Sequence, residues 1–369
     1  MQHLCLVSAQ PIPNLTPALD KDFKPDKVIL AVSPQMKEQA KHQEDVLRRF
    51  LVPVAQLPLP DAYDISSLLD TFIRFLDAHE GEEILLNATG GTKPMAIAAQ
   101  EAFRMAGLPV FYVHDRDDKI IWLDRQKAPQ DISTRMKLEP FLQAHGYTID
   151  SCGVPGEIKK EWKSLAEDII NFNDKETKAV AALNAVAANA RESNKLEAKL
   201  TREAEGALGA ILHKMYDAGV VKEYDDRKVK FSSEEARFFA NGGWLEIYLN
   251  GCLSRIDGLQ DHTVNMNVRT GSGVKNELDG AILYRNRLVL IECKTRSYDL
   301  SSIQDISDAL YKLDSLTALG GLRTSGIFIS YFPLPERILA RAKALNIHVC
   351  HRDDIKRLPE FIKAKVISR

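Results

Sequence analysis

Short apolar runs alternate with helical spacing through the first third of the chain. Residues 4–8, 28–33, 83–87 and 110–114 are runs of aliphatic and β-branched side chains. Between them, apolar positions recur with a helical period over about 34–50, 65–79 and 94–106. Strand–helix alternation at this spacing predicts a mostly parallel sheet with helices on both faces. Ligands of such sheets sit beyond the carboxyl ends of the strands. The segments that follow the runs are therefore where chemistry is expected.

The rhythm changes after residues 153–156, which read as a linker. Helical patterns cover about 157–172 and 175–195, the second rich in alanine, and a helix over 204–219 leads into a hairpin over 220–231. That last pair looks like part of a winged-helix unit, whose more natural use here is packing between the flanking parts. Further on, Gly242-Gly243 opens a pattern, Trp244-Leu245-Glu246-Ile247-Tyr248-Leu249, that predicts an amphipathic helix carrying one acid among apolar neighbours. Runs 278–283 and 287–291 read as two strands joined at Arg285-Asn286, and a helix is expected over about 301–319. No internal repeat or low-complexity tract is present.

Candidate chemistry concentrates in that strand pair. Asn276-Glu277-Leu278-Asp279 is followed by Leu290-Ile291-Glu292-Cys293-Lys294, so acids and a lysine sit inside apolar runs. Burying such groups is costly unless they are paired or bound to metal. A hairpin would bring Asp279 and Glu292 side by side, and the period of two puts Lys294 on the face of Glu292. Two carboxylates there suit a hard divalent cation bound through oxygen. Glu246 can point into the same pocket, and Glu277, two residues before Asp279, can add to or replace a ligand. The bland alternative is an exposed strand whose polar residues face water.

Two other segments end strands. Ser8-Ala9-Gln10-Pro11-Ile12-Pro13-Asn14-Leu15-Thr16-Pro17 reads as a proline-stiffened loop exposing Ser8, Gln10 and Asn14. It lacks the Gly-rich dinucleotide fingerprint, which disfavours a nicotinamide cofactor. Asn87-Ala88-Thr89-Gly90-Gly91-Thr92-Lys93-Pro94 runs from a strand into a helix start. Backbone N–H groups there would form an anion site, with charge from Lys93 and hydroxyls from Thr89 and Thr92. The equal alternative is a tight turn with Thr92 as N-cap. No Walker A loop occurs.

Composition leaves this picture standing and narrows the setting. A chain of 369 residues, 45% hydrophobic and 27% charged, is expected to hold two to three globular domains. No apolar run approaches the ~20 residues of a membrane helix, and the start lacks a signal pattern, so a cytoplasmic protein without membrane contact is expected. The cysteines Cys5, Cys152, Cys252, Cys293 and Cys350 are scattered, odd in number and without a CxxC pair, which reads as reduced thiols rather than a zinc site. The net charge of −2 excludes a strongly basic nucleic-acid binder. From residue 231 onward, 19 Lys and Arg against 16 Asp and Glu give +3. Contacts to phosphate would have to be local, with Arg269, Lys275, Arg285, Arg287 and Arg296 as candidates or as solvated surface charges.

The sequence of Glu246, Asp279 and Glu292-Cys293-Lys294 resembles the PD-(D/E)xK nuclease core over roughly residues 230–350. The resemblance implies that Asp279 and Glu292 hold Mg²⁺ or Mn²⁺, that Glu246 supports the metal and that Lys294 positions or activates the attacking water. Gln304 matches an accessory glutamine of some members. Ser8, Gln10, Asn14, Thr89, Gly90, Gly91, Thr92 and Lys93 resemble the loops of the CARF domain, the Rossmann-like sensor associated with CRISPR systems. Together the halves are similar to the CARF–nuclease proteins of type III CRISPR systems. That implies a CARF domain over 1–150, a helical, winged-helix-like segment over 151–232 and a restriction-endonuclease-like α/β domain over 233–369. It also implies a homodimer binding a cyclic oligoadenylate, usually cyclic tetra-adenylate, across its two-fold axis. Cleavage of single-stranded RNA, single-stranded DNA or supercoiled DNA is the implied activity, with the choice open. Two rival functions stay open beside it, a ligand-sensing regulator that binds nucleic acid without cutting and a constitutive DNA-repair or restriction nuclease.

Overall fold

The computed structural model describes residues 1–369 except 115, 124–126, 155–157, 202, 297–302 and 368–369, and except the side chains of 174 and 303. Seven strands form the first sheet: β1 (Gln2–Leu6), β2 (Lys27–Val32), β3 (Val54–Pro58), β4 (Ile84–Asn87), β5 (Val110–His114), β6 (Lys119–Trp122) and β7 (Gln130–Asp131). Their order is β3-β2-β1-β4-β5-β6-β7, parallel from β3 to β5 and antiparallel beyond. Alternation along β1 sends Leu4 and Leu6 to one face and Cys5 to the other, where Val7 joins it. The first face is covered by α3 (Ile65–Asp77) and α4 (Lys93–Met105), while α1 (Ile12–Ala18), α2 (Lys37–Arg49) and α5 (Leu138–Ala144) share the second. The Rossmann-like expectation therefore holds. The spacing does not predict β3, β6 and β7, because their short and partly polar stretches carry too weak a period.

The segment over 8–17 is not the exposed loop that its prolines suggested. Residues from Ile12 onward form α1, because prolines in the first turn lose no hydrogen bond there. Pro17 inside the helix has no N–H for the Pro13 carbonyl, and Asn87 Nδ2 donates to that carbonyl instead at 2.9 Å.

The second large sheet has the order β16-β15-β14-β13-β12-β8. Its strands are β8 (Tyr147–Ser151), β12 (Asp261–Thr270), β13 (Lys275–Tyr284), β14 (Arg287–Lys294), β15 (Ser325–Ser330) and β16 (Ile347–His351). β8 lies at its edge, so the chain has already entered the second sheet before the expected linker. Between the sheets in sequence come α6 (Lys160–Ile170), α7 (Asp174–Glu192), β9 (Glu197–Lys199), α8 (Gly206–Asp217), β10 (Val221–Tyr224) and β11 (Lys228–Phe231). The helix α8 and the β10–β11 hairpin fit the winged-helix-like reading.

Two cores sandwich the second sheet. Leu288 and Leu290 of β14 pack with α11 (Ile303–Thr317) and with Val7, Leu30 and Phe141 of the first part. Val289 and Ile291 pack with Leu245 and Leu249 of α10 (Trp244–Leu253) and with Trp162 and Leu183 of the middle segment. Each such buried aliphatic side chain contributes roughly 1.5–3 kcal/mol. The middle segment therefore covers the face of the second sheet turned away from the first part, rather than filling a gap between them. Among the described residues, no helix is long and apolar enough to cross a membrane.

Candidate active site

The β13–β14 hairpin turns through Arg285 and Asn286, both with positive φ (47° and 51°), as a tight two-residue hairpin requires. Its rungs run from Tyr284 opposite Arg287 to Gly280 opposite Ile291. Asp279 and Glu292 therefore lie one register step past the last rung, where the strands are free to part. Asp279 Oδ2 accepts the Cys293 N–H at 2.7 Å, which ties the two ends together. Lys294 Nζ donates to Glu292 Oε1 along the strand face, as the period of two required.

On the other side of β13, Val264 pairs with Gly280 and Met266 with Leu278. Between them Asn265 takes a left-handed φ of 47°. Val264 belongs to the core under α10, whereas Met266 and Leu278 belong to the core shared with the first part. The strict alternation used to place Glu277 beside Asp279 is thus interrupted at this point. Glu277 is exposed, and its charge is felt at Glu246.

Glu246 enters from α10, which differs from the amphipathic helix expected. Trp244, Leu245, Ile247, Tyr248, Leu249, Cys252 and Leu253 are all buried, so the helix is apolar nearly all round. The helix start is fixed by Gly242, at φ 107°, where a Cβ would lie 2.2 Å from Thr295 Oγ1. Thr295 follows Lys294 directly, and its carbonyl accepts from Asn184 Nδ2 at 3.1 Å. Sequence reasoning noticed the glycine pair but missed Thr295 and Asn184, whose partners are distant in the chain.

These acids are short of positive charge. Burial, and then the nearby charges of Asp279 and Glu277, push the Glu246 carboxyl up to about 9. Burial, and then Glu292, push Asp279 up to about 7. Burial also raises the Cys293 thiol well above its ordinary value. The other sequence candidates scatter. Gln304 bonds Asp308 on its own helix at 2.7 Å, and Arg269 pairs with Asp150 at 2.6 Å. Arg296 sits 3.5 Å from Asp305, and Lys275 is exposed. Arg287 opens β14, about 16 Å from Glu292 at ~3.3 Å per residue, and Arg285 lies in the turn before it, so nearness in sequence misplaced them.

The residues beyond the first sheet divide into two groups. Asn14 is buried on α1, bonded to the Leu6 carbonyl and to Gln43 Oε1, both at 3.0 Å, and it accepts from Asn87 Nδ2 at 3.1 Å. Thr89 Oγ1 donates to Asn87 Oδ1 at 2.6 Å and accepts the Val113 N–H at 2.7 Å. Thr92 caps α4, accepting from Met95 N–H and donating to the Ala62 carbonyl. The turn reading is therefore the one realised at Thr92. Gly90 fits because its Cα approaches Leu6 so closely that a Cβ would fall 2.1 Å from the Leu6 carbonyl oxygen. Ser8 and Gly91 are half-buried at this strand end and Lys93 is exposed. Gln10 Oε1 accepts the Leu322 N–H of the second part at 3.2 Å.

A family model described as the Card1 CARF domain matches residues 2–141, and one described as a Card1-like endonuclease domain matches residues 233–368. The chain joins a CARF domain to an endonuclease domain. The crystal structure of protein VC1899 from Vibrio cholerae is similar at 25% identity and a TM-score of 0.87, over 100% of this chain and 98% of that one. Can2 from Sulfobacillus thermosulfidooxidans, solved in complex with cyclic tetra-adenylate, is similar at 25% identity and a TM-score of 0.83, over 99% of each chain. A type III CRISPR defence DNA nuclease activated by cyclic oligoadenylate shares the fold at 19% identity and a TM-score of 0.60, with this chain spanning 52% of its length. No curated protein matches the chain in sequence.

The endonuclease family implies a metal, and the donor set can be judged against one. Among the described residues, no three His, Cys, Asp or Glu side chains stand together as a ready-made cage. Yet Asp279, Glu292 and Glu246 offer only oxygen donors, and their mutual repulsion is what a hard cation relieves. The residues fit such an ion, once Lys294 releases Glu292.

Proposed function

We propose that this CARF endonuclease binds a cyclic oligoadenylate, cyclic tetra-adenylate first among them, as a homodimer and then cuts nucleic acid in type III CRISPR defence. The observation that carries the cleavage reading is the meeting of Asp279 and Glu292 one step past the last hairpin rung, with Glu246 beside them. Asp279 and Glu292 would hold Mg²⁺ or Mn²⁺, with Glu246 supporting. A cation there offsets the charge that builds on the phosphodiester oxygens and lowers the pKa of bound water. Lys294, paired with Glu292 on the same strand face, would orient the approaching water or phosphate. The Cys293 N–H holds Asp279 in place, and Thr295 against Gly242 keeps α10 registered on β14.

Ser8, Gly91 and Lys93, at the carboxyl ends of the CARF strands, would meet the activator. Asn14, Thr89 and Thr92 shape the loops from within. Gln10 touches the endonuclease domain directly, so ligand binding at its loop has a physical route to bias that domain. The expected partners are a second copy of the chain and single-stranded RNA or DNA. The test is purified protein with Mn²⁺, labelled RNA and DNA, and cyclic oligoadenylates of different ring size. Cleavage that needs the activator is expected; equal cutting without it, or cutting that survives Asp279→Asn, would sink the reading.

A further inference from the structure

A second concentration of charge lies at the opposite end of β14. Arg285 and Arg287 have their guanidiniums 5.7 and 5.8 Å from the Tyr284 ring. The turn between them is pinned to the CARF side. Asn286 accepts the Met136 N–H at 3.0 Å and donates to the Thr134 carbonyl at 2.9 Å. Arg135 reaches Asp118 at 3.4 Å, and Arg323 follows Leu322, the residue bonded to Gln10.

The charges of four arginines thus bear on one acid, with Arg135 paired to it. Burial raises the Asp118 carboxyl, while Arg135, Arg323, Arg285 and Arg287 all act to lower it. Burial, and then Arg323, hold the half-buried Arg287 below its ordinary value, with Arg285 acting the same way. Beside them opens a cleft of about 140 Å³, lined among others by Arg287, Arg323, Thr324, Ser325, Asn346 and Lys365. Among the described residues, no carboxylate lines it.

We propose that this cleft binds a nucleotide phosphate, separately from the carboxylate centre. Paired guanidiniums match phosphate oxygens in a fork geometry that other anions use less fully. Two sources share that chemistry, the cyclic activator and the strand to be cut. Contact with Gln10 and distance from Glu292 favour the activator, a preference that rests on the function proposed above. Binding is measured in EDTA on the full-length protein, with labelled cyclic tetra-adenylate and with labelled single-stranded RNA and DNA. Arg323→Ala and Arg287→Ala each should weaken one of these ligands by about tenfold or more and reduce its salt slope by about one. Arg323→Lys, which keeps the charge but not the fork, should fall between. Loss confined to cyclic tetra-adenylate assigns the cleft to the activator, and loss confined to the oligonucleotides assigns it to the strand. Wild-type protein that ignores cyclic tetra-adenylate defeats the proposed activation, while the oligonucleotide arm still decides the cleft. Variants that bind every probe as the wild type does, or a wild type that binds none, overturn the inference.

Discussion

Asn87, ending a strand of the CARF sheet, and Asp279, ending the hairpin of the endonuclease sheet, both set a polar side chain into an apolar run. Their surroundings treat them in opposite ways. Asn87 donates to Pro13 and Asn14 and accepts from Thr89, so a fully buried side chain is satisfied by the protein alone. Asp279 has one backbone donor, and beside it are Glu292 and Glu246, with Lys294 and then Lys312 as the cations felt there among the described residues. A polar cluster that closes on itself is scaffold. One left with unbalanced charge is built for something that arrives from outside. The comparison teaches where to expect activity loss and where to expect unfolding.

The largest effect should come from the unbalanced cluster. Asp279→Asn is expected to lower activator-dependent cleavage by on the order of 10³-fold, as loss of a charge-stabilising group at a reacting centre does. It should leave the metal-free melting temperature unchanged or raise it, since a repelling charge is gone. Mn²⁺ should stabilise the wild type against heat and the variant much less. A variant that melts early with or without metal would move Asp279 to the scaffold class.

Asn87→Ala tests the other side. It strands the Pro13 carbonyl and the Thr89 hydroxyl, and should cost about 2–4 kcal/mol of stability in chemical denaturation. Lys93→Ala, at an exposed position at the start of α4, should leave stability alone and weaken activator binding measured by titration. Equal stability losses in the two would erase the distinction drawn here.

Gly242→Ala joins the two kinds of effect. A Cβ at φ 107° and 2.2 Å from Thr295 Oγ1 should cost about 1–3 kcal/mol and shift Glu246 relative to Glu292. Cleavage should fall more than stability does, read as kcat against the melting curve.

The smallest effect near neutral pH concerns His3. It is fully buried against Phe23 and Phe111, with both ring nitrogens unpartnered, and burial lowers it to about 3. The unfolded chain takes up that proton below about 6.5 while the folded one does not. Stability from this group is therefore present above pH 6.5 and declines as pH falls toward 3. His3→Leu should flatten that limb in urea melts at several pH values; an unchanged limb would remove His3 from the account.

Much of this was readable from patterning. The alternation of strands and helices, the hairpin turn at Arg285-Asn286 and the register of Glu292 with Lys294 all follow from local periods of two and 3.6. Residues at 8–17 misled because prolines signal a stiff loop and a helix start alike. Only the fold reveals that Asn14 points inward, toward Asn87. Arg285 and Arg287 misled because a strand carries sequence neighbours far from each other in space.

The candidate acids, the shared face of Glu292 and Lys294 and the α/β class are legible in the order of side chains alone, because they depend on spacing within single elements. Other features depend on contacts between distant segments, where no local period carries information. Gly242 seated against Thr295, Gln10 meeting Leu322 and Arg135 paired with Asp118 are of this kind. Tertiary structure alone decided them, since only packing determines which buried polar groups find partners and which are left with unbalanced charge.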